Sequence, residues 1–256
     1  MASEQAVASP SHVAVVTGGS RGLGRELARS LGGRGWTVII DGRDPRALAA
    51  AVEAATDIAE VPSAGTGSGR LVAIAGDVGD PAHRESIATA VAAYGRLDLV
   101  VNNASTLGTS PLPPLRDYDI ETFAAVLHTN TVAPLALLQL LLPHLRATAG
   151  TVINLSSDAA TEAYVGWGAY GASKAALDQL SAVLAAEEPD LRSYAFDPGD
   201  MRTAMHQLAF PGQDISDRPE PVTVLPALLR LIDQRPPSGR FRAADLAPSR
   251  PSPERP

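Results

Sequence analysis

One tyrosine and one lysine in this sequence have a spacing that could support proton transfer. Tyr170 and Lys174 lie four residues apart in a segment with helical periodicity, so both side chains would project from the same face of a helix. An ammonium beside a phenol stabilises the ionised phenolate. Lys174 is the single lysine of the chain, against twenty arginines, and its compact charge differs from a planar guanidinium. The pair therefore predicts a phenol that donates and accepts a proton.

Ser157 stands thirteen residues before Tyr170, just after the run at 151–155 that predicts a strand. A hydroxyl at the end of a strand could hydrogen-bond a substrate oxygen while Tyr170 exchanges a proton with that oxygen. Lys174 could also hold a sugar hydroxyl. The alternative, a surface pair without a role, does not explain why the only lysine occupies this position.

A glycine-rich segment follows the first predicted strand. Residues 17–24 read TGGSRGLG, and a helical pattern begins at once. Glycines at 18, 22 and 24 would allow a tight turn, a close approach of phosphate to the backbone and close packing of helix on sheet. Three such glycines also occur in ordinary tight turns. Their position between a strand and a helix favours a dinucleotide site.

The end of the second predicted strand carries side chains of both signs, where a dinucleotide fold contacts the adenosine ribose. An acidic residue there would bind a 2′-hydroxyl, whereas arginine would pair with a 2′-phosphate. Arg43 and Arg21 could form a clamp on a phosphate, and Asp41 comes early enough to remain in the strand. We predict NADP(H) as the preferred cofactor. NAD(H), or arginines that serve only the surface, remain alternatives.

Short β-branched runs alternate with segments of helical spacing along most of the chain. This order predicts an α/β fold: a single Rossmann-type, doubly wound parallel sheet with helices on both faces. Ligands are then expected at the carboxyl ends of the strands. The predicted strands span 13–17, 37–40, 71–74, 97–101, 151–155 and 192–196, and the predicted helices span 22–31, 45–55, 81–93, 120–145 and 170–186.

The length of 256 residues suits one domain, which we expect to span 1–246. The segment at 203–222 contains three prolines and predicts a mobile substrate lid beside the ligand crevice. The residues at 247–256 are rich in proline and charge, and they predict a disordered tail.

The composition argues against several classes of protein. A formal charge of −7 is opposite in sign to that of a nucleic-acid binder. The absence of cysteine excludes disulfides and thiolate metal sites, and the five scattered histidines predict no metal. The most apolar stretch, 133–142, stops at Pro143 and predicts a buried helix, so no membrane-spanning segment or signal sequence is expected. We expect a cytoplasmic protein.

The motifs together resemble the short-chain dehydrogenase/reductase family. The resemblance covers residues 13–203 and rests on the order and spacing of several short motifs. They are TGGSRGLG at 17–24, Asp77-Val78 after the third strand, Asn102-Asn103-Ala104-Ser105 after the fourth, Asn130, the set Ser157, Tyr170 and Lys174, and Pro198-Gly199 with Thr203.

The resemblance implies roles for the matching residues. Tyr170 would be the general acid/base, Ser157 would orient the substrate oxygen, and Lys174 would bind the nicotinamide ribose. Asn130 would complete a proton relay through water to the lysine, and the Asp77 carboxylate would contact the adenine. The implied cofactor contacts are Gly18, Ser20, Arg21, Gly22, Leu23, Arg43, Asp77, Val78, Asn103, Ala104, Tyr170, Lys174, Pro198, Gly199, Met201 and Thr203.

The expected reaction is hydride transfer between NADP(H) and a carbonyl or secondary alcohol, in a homodimer or homotetramer. The substrate would contact Ser157, Trp167, Tyr170 and Met205 in a largely apolar pocket, although Trp167 could instead serve loop packing. A catalytically silent NADP(H)-binding regulatory protein is the alternative function. Ser105 stands where the family pattern has glycine, which affects the geometry of that loop.

Overall fold

A seven-stranded sheet forms the centre of the molecule. The computed structural model describes residues 12–56 and 69–246, so the predicted tail at 247–256 lies outside the described residues. The strands are β1 Val13–Val16, β2 Thr37–Gly42, β3 Arg70–Ala75, β4 Leu99–Asn102, β5 Thr151–Leu155, β6 Arg192–Asp197 and β7 Gly239–Arg242. They follow the order β3-β2-β1-β4-β5-β6-β7, and all neighbours are parallel.

Helices connect the strands and cover both faces of the sheet. They are α1 Gly22–Gly33, α2 Pro45–Thr56, α3 Pro81–Tyr94, α4 Ile120–Leu127, α5 Ala133–Thr148, α6 Gly168–Glu187, α7 Ala204–Ala209 and α8 Leu225–Gln234. Shorter 3₁₀ segments lie at Leu115–Asp117, Asp158–Ala160, Pro221–Val224 and Ala243–Leu246, and a π-helical turn lies at His128–Val132.

The alternation of side chains along β1 shows how one sheet supports two cores. Ala14 and Val16 are buried in a cluster with residues of α1 and α8, whereas Val13 and Val15 are buried in a second cluster with residues of α3 and α5. Successive residues of a strand point to opposite faces, so a strand covered on both sides is apolar throughout. The predicted doubly wound parallel sheet is confirmed.

The predicted helix at 120–145 differs from the observed one. A π-helical turn separates α4 from α5, and α5 continues through Pro143 to Thr148. Proline removes one hydrogen bond inside a helix, to the carbonyl four residues earlier. That carbonyl belongs to Gln139, which is exposed, as is Pro143. Water can therefore satisfy the freed carbonyl, and the helix does not end.

The helical run at 120–148 is long and apolar enough to cross a membrane by length and composition. The expectation that no segment reaches this length is therefore wrong, because neither the π turn nor Pro143 ends the run. The packing is nevertheless that of a core helix, since Leu137, Leu141 and Leu145 of α5 are fully buried in the cluster with β1.

Two elements lie beyond the last strongly predicted strand. The segment at 203–222, predicted as a lid, contains α7, and the Leu208 carbonyl accepts a hydrogen bond from Ser110 Oγ at 2.6 Å. After residue 238 the chain forms β7, which pairs with β6 from Gly239 to Arg242. Both elements follow the carboxyl side of β6 and border the site described next.

Candidate active site

Lys174 lies in the interior, close to the ring of Tyr170. It is 2% exposed, and its Nζ donates a hydrogen bond to the Leu155 carbonyl at 2.6 Å. Nζ is 5.4 Å from the centre of the Tyr170 ring. Both residues belong to α6, whose first two turns stand beside the carboxyl end of β5. The four-residue spacing thus brings the ammonium and the phenol to one helix face.

Ser157 follows β5 and begins a short 3₁₀ segment. Its hydroxyl donates to Asp158 Oδ1 at 2.9 Å and accepts from the Ala159 amide at 3.2 Å. The hydroxyl also lies near enough to Tyr170 to stabilise the ionised phenol. Ser157 therefore meets Tyr170 across the mouth of the cleft.

Asn130 occupies the π-helical turn between α4 and α5. Its side chain is buried, accepts a hydrogen bond from the Thr106 amide at 2.8 Å and donates to the Thr106 carbonyl at 2.9 Å. Its Nδ2 also donates to Ser173 Oγ, 3.0 Å away, on the helix that carries Tyr170 and Lys174. π turns often occur at functional sites, where they direct a side chain inward. Asn130 joins the loop after β4 to α6.

Removal from water dominates the protonation of both central groups. Burial raises the pKa of Tyr170, and the carboxylates of Asp197 and Asp158 raise it further, which outweighs the nearby hydroxyls. Burial lowers the pKa of Lys174 to about 8, against a smaller opposite effect of Asp178. Both shifts disfavour the charged form. This free-energy cost of removing both groups from water opposes the predicted attraction between ammonium and phenolate.

The glycine-rich segment packs against the loop after β4. Asn103 Nδ2 donates to the carbonyls of Thr17 at 2.8 Å and Gly18 at 3.1 Å. A Cβ at Gly24 would lie 2.5 Å from that Nδ2, so only glycine fits there. Thr17 Oγ1 accepts hydrogen bonds from the amides of Asn103 and Ala104, both at 3.0 Å. The loops after β1 and β4 thus form one unit.

The surroundings of this segment fit the phosphates of a dinucleotide. Gly18 and Gly22 have positive φ, and the only described atom within 4 Å of a Cβ at Gly22 would be Thr203 Cγ2, at 3.7 Å. The backbone is therefore open to a ligand at the start of α1, where helix amides attract anions. Leu23 points into the core, and Ser20 packs against Gly42.

The predicted ribose contacts differ in their exposure. Arg21 and Arg43 are exposed, and neither takes part in an ion pair within the parts of the chain that the structure describes. Asp41 is a buried residue of β2, in agreement with its predicted place in the strand. After β3, Asp77 is exposed and its Oδ1 accepts a hydrogen bond from the Gly79 amide at 2.8 Å, whereas Val78 is buried.

The loop after β6 forms the other wall of the cleft. Gly199 has positive φ, and its amide donates to Asp197 Oδ1 at 2.9 Å. Thr203 caps α7 by accepting a hydrogen bond from the His206 amide at 3.1 Å. The residues shared between this cleft and the sequence predictions are Ser157, Trp167, Tyr170, Pro198, Gly199, Met201, Thr203 and Met205.

Three carboxylates line the cleft beside its apolar side chains. They are Asp158, Asp197 and Asp200. Tyr164 and Phe210 pack against Trp167, with ring centres 6.5 and 6.1 Å away. Asp158 follows β5, Asp197 is the last residue of β6 and Asp200 lies in the loop after β6.

Two further residues act on this site without having been predicted to do so. Ser105 Oγ is buried without a hydrogen-bond partner at normal distance among the described residues, and it lowers the pKa of Tyr170. Arg240 on β7 donates to the Ser157 carbonyl at 2.9 Å and bonds to Asp178 at 3.0 Å. Ser105 was visible in the sequence as a departure from the family pattern, but no local signal indicated Arg240.

The comparison with known families decides the relationship. A family model described as short chain dehydrogenase matches residues 12–214. The chain belongs to the short-chain dehydrogenase family. The resemblance inferred from the motifs is confirmed, and with it the assignment of this protein to the oxidoreductases.

Curated relatives of this dehydrogenase come from bacteria and mammals. The oxidoreductase YciK of Escherichia coli K12 is 34% identical over 231 residues, which cover 86% of this chain and 85% of that protein. Sepiapterin reductase of the mouse is 34% identical over 208 residues, and these cover 77% of each chain.

Solved structures have the same fold. A short chain dehydrogenase from Pseudomonas syringae superposes with a TM-score of 0.83 and 29% identity, covering 92% of this chain and 95% of the other. A short chain dehydrogenase of Escherichia coli CFT073, solved in complex with NADPH, gives a TM-score of 0.81 and 30% identity, covering 91% and 97%. Dinucleotide binding is thus an observed property of a close structural neighbour.

Replacement of Gly24 by alanine tests the packing of the glycine-rich segment. The new methyl group would collide with Asn103 Nδ2 and the Gly18 carbonyl, so we expect the free energy of unfolding in urea to fall by about 1–3 kcal/mol. Gly33→Ala is the matched control in the same helix, because nothing lies within 4 Å of its Cβ. The control should be neutral or gain up to about 1 kcal/mol. Equal effects of the two substitutions would contradict the packing argument.

The pH dependence of stability should report the burial of Lys174. The chain has no cysteine and no other lysine, so few groups besides Lys174 titrate between pH 8 and 9.5. The folded pKa of about 8 is below the ordinary value of 10.5, and the unfolded chain therefore binds more protons in this range. Stability must then rise with pH, by about 1.5 kcal/mol from pH 8 to 9.5.

Urea unfolding at several pH values measures this rise. Lys174→Met, which removes the titrating group, should show a flat profile in the same range. A profile that rises equally in both proteins, or in neither, would show that Lys174 is not held in a desolvated position. Above pH 10 the raised pKa of Tyr170 acts in the opposite sense, so the range must end below that value.

Proposed function

We propose that this protein transfers a hydride between NADP(H) and a carbonyl or secondary alcohol substrate, with Tyr170 as general acid/base. The supporting observation is the convergence of Tyr170, Ser157 and Lys174 at the carboxyl end of β5, on the wall of a cleft. A general acid/base must reach the reacting oxygen, and Tyr170 faces the cleft in which substrate would lie.

The choice of NADP(H) rests on charge and on structural neighbours. Arg43 and Arg21 are exposed at the end of β2 and the start of α1, where a 2′-phosphate could bind a pair of guanidinium groups. Two neighbours were solved with NADP or NADPH, from Shigella flexneri and Escherichia coli CFT073. NAD(H) is the weaker possibility, since Asp41 is buried.

When bound, the nicotinamide supplies or accepts the hydride. In the reductive direction, the Tyr170 hydroxyl donates its proton to the substrate oxygen, and in the oxidative direction it takes the proton back. The raised pKa keeps this phenol protonated at neutral pH. Ser157 would turn its single hydroxyl hydrogen from Asp158 to the same substrate oxygen and so stabilise the charge that develops there.

Lys174 and Asn130 complete the arrangement. An ammonium has three donors, and one of those of Lys174 is fixed by the Leu155 carbonyl. The other two are free to bind a ribose hydroxyl and to stabilise the phenolate. Asn130 already has both sides of its amide engaged with Thr106 and Ser173. The proposed proton relay would run from Asn130 through a water molecule to Lys174.

Substrate would enter between Trp167 and the loop after β6. Trp167 packs edge to face on Tyr170, with ring centres 5.6 Å apart, and Met205 lies opposite on α7. We propose that the segment at 203–222 closes over this space as a lid. The three aspartates in the wall favour a substrate that carries hydrogen-bond donors besides its reacting oxygen.

The assembly is proposed to be a homodimer or homotetramer. Exposed apolar side chains form a face on α5, α6 and the turn before α5, and they include Val132, Leu135, Leu140 and Val183. Such a face is typical of a helix that is buried a second time in an assembly. A cytoplasmic location and a single domain at 1–246 complete the proposal.

Replacement of Tyr170 by phenylalanine should abolish turnover but preserve cofactor binding. The change removes the proton donor and keeps the ring on which Trp167 packs, so we expect kcat to fall by about 10²–10⁴. The dissociation constant for NADPH, measured by fluorescence titration, should change little. Tyr164→Phe is the control, because that hydroxyl bonds to Glu162 and Asp158 and not to the reacting position. Tyr170→Phe with normal turnover of a carbonyl panel would refute the mechanism.

Replacement of Arg43 by alanine tests the cofactor. We expect weaker binding of NADPH by about tenfold, the value of one charge-assisted contact, with no change for NADH. Arg29→Ala serves as control, since Arg29 is an exposed arginine on the solvent side of α1. A wild type that prefers NADH would contradict the NADP(H) assignment. Binding of NADPH without turnover on any carbonyl would favour the regulatory alternative.

A further inference from the structure

Asp41 and His83 form a buried pair beneath the glycine-rich segment, and the proposed function gives neither a role. Asp41 is 3% exposed and next to last in β2, whereas His83 is 7% exposed in the first turn of α3. The distance between His83 Nε2 and Asp41 Oδ2 is 3.1 Å. Buried polar groups are costly unless each is satisfied, so this pair must be bonded in place.

Asp41 holds the glycine-rich segment through two separate acceptors. Its Oδ1 accepts a hydrogen bond from the Gly18 amide at 2.6 Å, and its backbone carbonyl accepts one from the Gly19 amide at 2.9 Å. The first two residues of the turn are thereby fixed against β2. The first-turn amides of α1, which have no partner within the helix, are left for an anion.

His83 connects the same carboxylate to the turn after β3. The imidazole packs directly on the backbone of Gly76, where a Cβ would lie 2.1 Å from Nδ1. Only glycine can stand at that position while the ring points toward Asp41. Gly76 immediately precedes Asp77, the proposed adenine contact. One chain of contacts therefore runs from the turn after β3, through His83 and Asp41, to the glycine-rich segment.

We propose that Asp41 and His83 are positioning residues, which hold the glycine-rich segment and the turn after β3 in a fixed relative position. In this proposal Asp41 does not bind the ribose of the cofactor. The inference rests on the proposed function, because it concerns the same cofactor site. Both carboxylate oxygens of Asp41 already have partners. Because Asp41 is only 3% exposed, a 2′-hydroxyl could reach this carboxylate only if the packing around it opened. Selection of the cofactor is left to the exposed arginines.

Two substitutions of His83 by amide side chains test whether the hydrogen bond to Asp41, rather than the size of the side chain, positions the glycine-rich segment. In His83→Gln the terminal nitrogen is the same number of bonds from Cα as Nε2, so it can still donate to Asp41. In His83→Asn the nitrogen is one bond shorter and cannot reach. We expect His83→Asn to raise the dissociation constant for NADPH by about tenfold with kcat at saturating NADPH within about twofold, and His83→Gln to stay within about threefold of wild type.

Hydrogen exchange in the cofactor-free protein gives a second readout. Exchange of the Gly18 amide should be faster by about tenfold in His83→Asn and near wild type in His83→Gln. Leu145→Ala is the stability control, because Leu145 is fully buried beside the amino end of β4, away from the loop. This variant should be less stable than wild type but bind NADPH with the same affinity. Its Gly18 amide should also keep the wild-type exchange rate, once the faster global unfolding of the variant is taken into account.

Asp41→Asn tests the ribose alternative. The asparagine amide can accept from Gly18 and donate to His83, so the ratio of NADPH to NADH affinity should remain within about threefold of wild type. A selective loss of NADH affinity would show that Asp41 reads the ribose, and it would overturn that part of the inference.

The outcomes distinguish the inference from the function on which it rests. If wild type binds NADPH and His83→Asn binds it equally, the positioning role is wrong and the proposed function stands. If wild type binds neither dinucleotide, both are overturned. If His83→Asn does not fold, the exchange rate of Gly18 in His83→Gln and in Asp41→Asn decides: loss of its protection in these bond-preserving variants would contradict the positioning chain.

Discussion

The buried ammonium of Lys174 is the constraint on which the catalytic end of this dehydrogenase depends. A charge without water is destabilised unless neighbouring groups are fixed around it. The Leu155 carbonyl at the end of β5 supplies one acceptor, and Asp178, one turn further along α6, supplies opposite charge. Arg240 then joins Asp178 to the Ser157 carbonyl. The groups that surround this one buried charge thus connect β5, α6 and β7 around the position where a substrate oxygen would lie.

The sequence was sufficient for those features that depend on local spacing. Helical periodicity placed Tyr170 and Lys174 on one face, and glycines between a strand and a helix located the tight turn at the start of α1. The six predicted strands correspond to β1–β6 within a few residues, and the predicted helices correspond to α1, α2, α3, the run of α4 and α5, and α6. The helices α7 and α8 were not predicted. The main difference within the predicted helix at 120–145 is the π-helical turn at His128–Val132, which periodicity does not report.

Contacts between distant parts of the chain could not be predicted from local sequence patterns. Asp41 and His83 are 42 positions apart, and Ser157 and Arg240 are 83 apart. Nothing in the local pattern around His83 distinguishes it from any other helical residue. The same holds for the cleft, in which Trp167 packs against Phe210 and in which Asp158 and Asp197 line the same space.

The π-helical turn at His128–Val132 allows one continuous helical run to change its packing partner. Each added residue rotates the following side chains by about 100°. Before the turn, Val126 belongs to a small cluster with Tyr118 and Ala169, and after it Ala133 belongs to the core beneath the sheet. Asn130 lies in the turn, between the helical segments that contribute to these two apolar clusters. The buried amide of Asn130 is thereby accommodated within an otherwise apolar helical run, at a position where an uninterrupted α-helix would place an apolar side chain.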